Sequence, residues 1–133
     1  MKKQTKLFKP RVIATEGQEQ AALFVWKEYN EAMIPELALL HHIPNGGKRD
    51  IITASRLKAE GVKSGVPDIS LPVARNGYHG LYIELKVGSN TPSDNQKKWI
   101  GMLRNQGHRV EVCYGWVEAA AVIKDYLKGG KQA

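Results

Sequence analysis

The segment that most constrains the fold is 81–87, where apolar and polar residues alternate without a break. A two-residue period is typical of a strand with one apolar face and one polar face. The apolar face consists of Leu81, Ile83, Leu85 and Val87. Glu84 and Lys86 both belong to the polar face, so the pattern predicts that their side chains point in the same direction.

A second strand is predicted directly after Asp68. Alternate residues of 69–73 are apolar, so this strand begins with a carboxylate at its open end. Residues 75–77 form a polar turn between the two strands, and pairing of the strands as a hairpin returns Glu84 toward Asp68. The sequence therefore predicts one small site that holds two carboxylates and the ammonium of Lys86.

A hard divalent cation suits such a site. Mg²⁺ prefers oxygen ligands and usually binds one or two protein carboxylates, with water and phosphate oxygens in its other positions. Lys86 lies beside a cation held by Glu84, where it can orient or help to deprotonate a water. The structural alternative is an exposed ion pair between Glu84 and Lys86, which is the commoner meaning of an ExK triplet taken alone.

Several motifs in order resemble the PD-(D/E)xK nuclease superfamily and, within it, the VRR-NUC family of stand-alone phage or bacterial type. They are PNGG at 44–47, KAEGVKSG at 58–65, GVPD at 65–68, ELK at 84–86 and TPSDNQKKW at 91–99. The resemblance spans residues from about 15 to 127. It implies an α/β fold with a restriction-endonuclease-like αβββαβ core, in which helices flank a small mixed sheet.

The resemblance also implies roles for the site residues. Asp68, Glu84 and the backbone carbonyl of Leu85 would hold Mg²⁺ or Mn²⁺, while Lys86 would orient the attacking water and Gln96 would help to position it. In the family a Glu from the first helix joins the site. Glu16 best matches the family's TE…Q pattern, whereas Glu19 lies closer to the apolar stripe of the helix, so Glu16 is the first candidate and Glu19 the alternative.

The charge of the chain favours a polyanion as partner. The chain carries 20 Lys and Arg against 13 Asp and Glu, giving a net charge of +7. Glycines and basic residues in the loop 45–49 are suited to phosphate contact. The candidate nucleic-acid-binding residues are Asn45, Gly46, Gly47, Lys48, Arg49, Lys63, Lys97 and Lys98.

At 133 residues the chain is long enough for one domain with a core, and we expect a single domain with a mobile basic arm at 1–11 and a mobile tail at 128–133. No apolar run reaches the length of a membrane span, and no signal sequence is evident. We therefore expect a cytoplasmic protein, in a bacterial or phage-infected cell. The lone Cys113 lies in an apolar run and is predicted to be a buried structural thiol.

The remaining elements follow from periodicity. Helices are predicted over 15–30, 51–60 and 116–127, and another begins at Thr91 as N-cap; strands are predicted over 37–43 and 109–114. The first helix is expected to bury Ala22, Val25, Trp26 and Tyr29. The strand 37–43 carries His41 and His42 on opposite faces, so at most one of them is expected near the site.

Taken together, the resemblance implies a metal-dependent, structure-selective DNA endonuclease that works as a homodimer and cuts branched DNA such as four-way junctions. An apolar cluster of Met33, Ile34, Leu37 and Leu39 is either the dimer interface or part of the core. Two alternatives stay open. One is a catalytically silent nucleic-acid-binding module, and the other is a nuclease of restriction-like or RNA-directed specificity.

Overall fold

The computed structural model describes residues 14–44 and 50–130. The predicted arm at 1–11, the loop candidates at 45–49 and residues 131–133 of the tail lie outside the described residues. The helices are α1 (Glu16–Asn30), α2 (Ile51–Ala59), α3 (Asp94–Asn105) and α4 (Trp116–Lys128), with a 3-10 helix at Pro35–Leu39. The strands are β1 (His41–His42), β2 (Ile69–Leu71), β3 (Leu81–Lys86) and β4 (Arg109–Tyr114).

The described strands form one mixed sheet in the order β1-β2-β3-β4. β1 and β2 are antiparallel, β2 and β3 form the predicted antiparallel hairpin, and β3 and β4 are parallel. Apart from α2, which is inserted between β1 and β2, the chain order through β4 is the predicted αβββαβ. The predicted α/β fold, a small mixed sheet flanked by helices, is confirmed.

β3 is covered on both faces, which the alternation of its sequence did not predict. Ile69 of β2 and Glu111 of β4 both pair with Ile83, so neighbouring strands occupy both edges of β3. Five of its six residues are buried, including Glu84 and Lys86. The alternation reports which residues are polar, but it does not report whether the polar face is covered.

The buried face of α1 differs from the prediction by one position. Thr15 and Gln18 form the predicted capping box, but the buried residue of the helix is Leu23. Val25 and Tyr29 are exposed, whereas Trp26 packs only partly against the core. Glu19 lies one turn before Leu23 on the same side of the helix and contacts the start of α4, so the side that carries these two residues faces the core and α4.

The predicted strand at 37–43 is wrong over most of its length. Pro35 begins a 3-10 helix, and strand pairing is limited to His41 and His42. Leu37 and Leu40 are both buried, and a spacing of three places them on one side of a 3-10 helix. The apolar cluster near Pro35 is therefore divided: Leu37 is in the core and Ile34 packs on it, whereas Met33 and Leu39 are exposed.

The boundaries of the other helices differ by small amounts. The cap of α3 is Ser93 rather than Thr91, α2 ends one residue before Glu60, and α4 continues to Lys128. Cys113 is buried, as predicted, and burial raises the pKa of its thiol to about 12. Among the described residues, no helix combines the length and apolar character needed to cross a bilayer.

Candidate active site

Asp68 stands at the entrance of β2 and is fixed by a cross-strand hydrogen bond. Its Oδ2 accepts from the backbone N–H of Leu85 at 2.9 Å. Since Ile69 pairs with Ile83, the antiparallel register continues with Asp68 opposite Glu84. The hairpin therefore brings the two carboxylates together, as the sequence predicts.

Glu84 is a carboxylate buried to 1% exposure in the middle of the sheet. Burial and, to a lesser extent, the charge of Asp68 together raise the pKa of its carboxyl to about 8, against the lowering effect of Lys86. Oε2 accepts from Nε2 of Gln96 at 2.9 Å. Oε1 is buried, and no described residue donates a hydrogen bond to it.

Gln96 is held by the start of α3. Its Oε1 accepts from the backbone N–H of Ser93 at 2.8 Å, and the Ser93 hydroxyl accepts from the backbone N–H of Gln96 at 3.2 Å. This capping box fixes the side-chain amide so that its Nε2 faces Glu84. The helix cap therefore orients one oxygen of the carboxylate and leaves the other oxygen without a protein donor among the described residues.

Lys86 lies between two carboxylates. Its Nζ is 3.7 Å from Oε2 of Glu84 and 3.9 Å from Oε2 of Glu16. Both distances exceed the usual range of a hydrogen bond. The ammonium is therefore held between the two acids by charge and is not hydrogen-bonded to either. At 8% exposure Lys86 is nearly as buried as Glu84, and it is not the exposed ion pair of the structural alternative.

The two acids in the first turn of α1 have different contacts. Glu16 pairs with Lys86, whereas Oε1 of Glu19 accepts from the backbone N–H of Trp116 at 2.8 Å. Glu19 also packs against Gly115, where a Cβ atom would lie 3.1 Å from its carboxylate oxygen. Glu19 therefore caps α4, and Glu16 is the acid of α1 that reaches the cluster.

Only one of the two histidines lies beside the cluster. Nδ1 of His42 is 2.8 Å from the backbone carbonyl oxygen of Asp68, and the backbone N–H of Ile43 donates to the same oxygen at 2.7 Å. His41 instead contacts the carbonyl of Leu39. The end of the edge strand β1 therefore contacts the chain at Asp68, directly before β2 begins.

The loop before Asp68 is clamped onto α3, a contact that the sequence did not predict. Nδ2 of Asn95 donates to both the backbone carbonyl and the hydroxyl of Ser64, each at 3.0 Å. Gly65 has a φ of +94°, and a Cβ there would lie 2.9 Å from the carbonyl oxygen of Asn95. The GVPD motif therefore needs its glycine for close approach to α3, next to Gln96.

Three of the candidate nucleic-acid-binding residues are described. Lys97 and Lys98 are exposed on α3 directly after Gln96, and Lys63 is exposed two residues before Gly65. The chain thus places basic side chains on both segments that meet at the clamp. The other candidates are the five residues of the loop 45–49, which lie outside the described residues.

The carboxylates fit a magnesium-like cation better than a metal that prefers several side-chain ligands. No group of three or more His, Cys, Asp and Glu side chains within residues 14–44 and 50–130 is arranged to hold a metal ion. Asp68 and Glu84 are two oxygen donors, which is the number that Mg²⁺ commonly takes from a protein. The buried Oε1 of Glu84, without a described donor, suits a cation as its partner.

A mixed sheet with Asp68 at the entrance of one strand, and Glu84 and Lys86 on the next, defines a restriction-endonuclease-like domain. The sequence model of the VRR-NUC domain matches residues 9–116. A solved structure named "VRR_NUC domain protein" superimposes with a TM-score of 0.76 and 32% sequence identity, covering 90% of this chain and 93% of its own. This chain belongs to the VRR-NUC family and is a nuclease domain. No protein with a curated description matches it.

Proposed function

We propose that the protein is a Mg²⁺- or Mn²⁺-dependent endonuclease that hydrolyses phosphodiester bonds in branched DNA. One observation supports the metal dependence above all others. Glu84 is buried beside Asp68 and Lys86 with one carboxylate oxygen lacking a described hydrogen-bond donor. A buried carboxylate oxygen without a partner is costly to maintain, and a divalent cation would supply the partner that Oε1 lacks.

Asp68, Glu84 and the backbone carbonyl of Leu85 would hold the cation. When bound, it supplies acidification of a water and neutralisation of charge on the scissile phosphate. Asp68 is already oriented by the N–H of Leu85, and Glu84 by the amide of Gln96. These two carboxylates need little rearrangement to bind a cation, because strand pairing and a helix cap already fix their positions.

Lys86 orients the attacking water and offers positive charge to the phosphate. The charges of Glu84 and Glu16 keep the ammonium in the site, but neither carboxylate forms a short hydrogen bond with it. Glu16 acts on Lys86 and on waters near the cation, while Gln96 positions the water through its contact with Glu84. The expected products carry a 5′-phosphate and a 3′-hydroxyl.

Affinity for DNA would come from basic side chains around this site. Lys63, Lys97 and Lys98 are exposed beside the clamp between the GVPD loop and α3, and the net charge of the chain is +7. Contacts of this kind bind phosphate without reading sequence, which agrees with a structure-selective rather than a sequence-selective enzyme.

The branched substrate and the homodimer belong together. One chain offers one cluster of Asp68, Glu84 and Lys86, and resolution of a four-way junction requires two cuts related by the two-fold symmetry of the junction. Met33 and Leu39 leave apolar surface outside the core, which a second copy would cover. Light scattering at micromolar concentration tests the dimer, and a monomer would contradict it.

A cleavage panel tests the proposal. Linear duplex, flap, fork and four-way-junction DNA, with an RNA duplex of matching sequence, are incubated with Mg²⁺, Mn²⁺ or EDTA. We expect cleavage with either metal, none in EDTA, and the fastest cutting at the junction. Binding without cleavage under all conditions would favour the silent module, and faster cutting of RNA or of linear duplex would favour a nuclease of other specificity.

A further inference from the structure

The helix α2 stands apart from the core. In the described part of the chain it is a helix none of whose residues is buried. Ile51 and Ile52 at its start are 85% and 81% exposed. Two adjacent isoleucines left in water cost free energy that burial against a partner would recover.

The side chains of α2 are sorted by face. With about 3.6 residues per turn, Thr53 and Leu57 share one face, and these are the two residues of the helix that are partly covered. The opposite, outward face carries exposed residues that are apolar or small in the middle and basic at both edges. In order across this face they are Lys58, Ile51, Ser55, Ala59, Ile52 and Arg56.

The position of α2 in the chain ties it to the candidate active site. The chain leaves the sheet at His42 and Ile43 and returns at Asp68, and both His42 and Ile43 contact the backbone carbonyl oxygen of Asp68. The insertion that contains α2 therefore starts and ends beside a residue of the site. Because both ends of the insertion are fixed at Asp68, a partner that binds α2 binds a segment tethered to the border of the site.

The charge of the outward face selects the partner. Lys58 is exposed, and no described residue forms an ion pair with it; Arg56 is 4.0 Å from Glu60 in a pair that is more than half exposed on both sides. Such a pair contributes little, so both cations are available to a polyanion. A second copy of this chain would bring a net charge of +7 to this basic edge, whereas DNA brings complementary charge.

We propose that the outward face of α2 is a branch-recognition surface, on which Ile51 and Ile52 pack against a base pair exposed at a DNA branch while Lys58 and Arg56 bind the flanking phosphates. This inference rests on the proposed function, since it names the feature of branched DNA that the nuclease would recognise. A branch point exposes an unstacked base-pair face inside the DNA, where linear duplex is continuously stacked, and apolar side chains insert at such steps. Ser55 and Ala59 are small enough to let the helix approach the DNA closely.

Binding in EDTA tests this role separately from cleavage. Fluorescence anisotropy gives the Kd of the full chain for a fluorescein-labelled four-way junction and for a linear duplex with the same arm sequences. Wild type is expected to prefer the junction, and the double variant Ile51→Ser with Ile52→Ser is expected to reduce that preference at least about fivefold. The matched control is Met102→Ser, an apolar residue of α3 at 44% exposure, which should keep the wild-type preference.

The basic edges are tested by a second pair of variants. Arg56→Gln with Lys58→Gln should weaken binding to both DNA forms and make the slope of log K against log salt shallower by about 0.9 for each lost phosphate contact. Lys124→Gln with Lys128→Gln on α4 is the control, because it removes the same two positive charges from exposed positions. An unchanged slope in the double variant would overturn the phosphate contacts.

Three results would overturn the isoleucine role. The first is a wild type without preference for the junction, and the second is an unchanged preference in the double Ser variant. The third is a wild-type dimer that becomes a monomer in the double Ser variant, which would assign the face to a second copy. Since the assay contains no metal, a protein that never cleaves still tests the surface. An active nuclease with an unchanged preference would refute this inference and leave the proposed function standing.

Discussion

β3 and α2 differ in how far their residues are buried. β3 has five of its six residues buried, and each charged group on it is held by a neighbouring element. α2 has no buried residue, although both ends of its insertion meet at Asp68. In the functions proposed above, the difference separates two tasks: the chemistry requires side chains fixed to within a fraction of an ångström, whereas recognition of a shape requires exposed surface.

The largest effect is expected from the charged groups of β3 and its hairpin partner. Asp68→Asn, Glu84→Gln and Lys86→Gln should each reduce the cleavage rate by about a thousandfold or more, because in the proposed mechanism each group acts on the cation, the water or the phosphate. Affinity for DNA in EDTA should stay within a few fold of wild type, since exposed basic residues supply it. Cleavage assays and anisotropy titrations measure the two quantities.

Glu28→Gln is the matched control for these variants. Glu28 is an exposed acid of α1, and its 3.9 Å pair with Lys27 is a surface contact. Full cleavage by Lys86→Gln would contradict the mechanism. Equal loss of binding and cleavage, in a variant that still unfolds cooperatively, would contradict the division of tasks between β3 and the exposed basic surface.

Salt should affect binding next most strongly. If basic side chains at Lys63, Lys97 and Lys98 contact phosphates, log K falls linearly with log salt at a slope of about −0.9 per contact. Lys97→Gln with Lys98→Gln should make this slope shallower by about two contacts, while removal of the residues before Arg11 should change it only modestly. A wild-type affinity that does not respond to salt would contradict polyanion binding as the purpose of the positive charge.

The two acids of α1 should separate activity from stability. Glu16→Gln removes a partner of Lys86 and should lower cleavage by roughly tenfold with little change in Tm. Glu19→Gln weakens the cap of α4 and should lower the free energy of unfolding by about 0.5–2 kcal/mol. If Glu19→Gln were the more damaging variant for cleavage and Glu16→Gln the more damaging for Tm, the assignment of the two acids would be reversed.

Much of this arrangement could be predicted from particular residues. Glu84 and Lys86 follow from an alternating strand, Asp68 from the start of its partner, and Gln96 from its place near a helix start. The hairpin register is then almost forced, because a shift of one residue would turn the apolar residues of β2 away from the core. The available signal for the correct cap of α3 was Ser93 followed three residues later by Gln96, which is a capping box that Thr91 lacks.

Other features depend on tertiary contacts that no local pattern reports. The burial of Glu84 arises because β2 and β4 flank β3 and helices cover the sheet, and none of these neighbours is adjacent in sequence. The side of α1 that faces the core contacts α4 through Glu19 and Trp116, which are nearly a hundred residues apart. The clamp of Ser64 and Gly65 on Asn95 is likewise long-range, and it explains why the motif before Asp68 contains a glycine.

The buried carboxylate should also be visible in the pH dependence of stability without metal. The folded pKa of Glu84, about 8, lies above the ordinary value of 4.5, so its stabilising contribution is fully present below 4.5 and is lost as pH rises toward 8. Over that range the unfolded chain releases a proton that the folded chain keeps. Wild type should therefore lose up to about 1.4 kcal/mol per pH unit relative to Glu84→Gln in EDTA, measured by urea unfolding.

Thermal unfolding at pH 8, with and without millimolar Mg²⁺, tests most directly whether Glu84 is a cation ligand. A cation that binds only the folded state raises Tm in proportion to its binding free energy. We expect Mg²⁺ to raise the Tm of wild type and of Glu28→Gln by several degrees and to leave that of Glu84→Gln unchanged. An equal rise in Glu84→Gln, or no rise in wild type, would contradict the assignment of the buried carboxylate as a metal ligand.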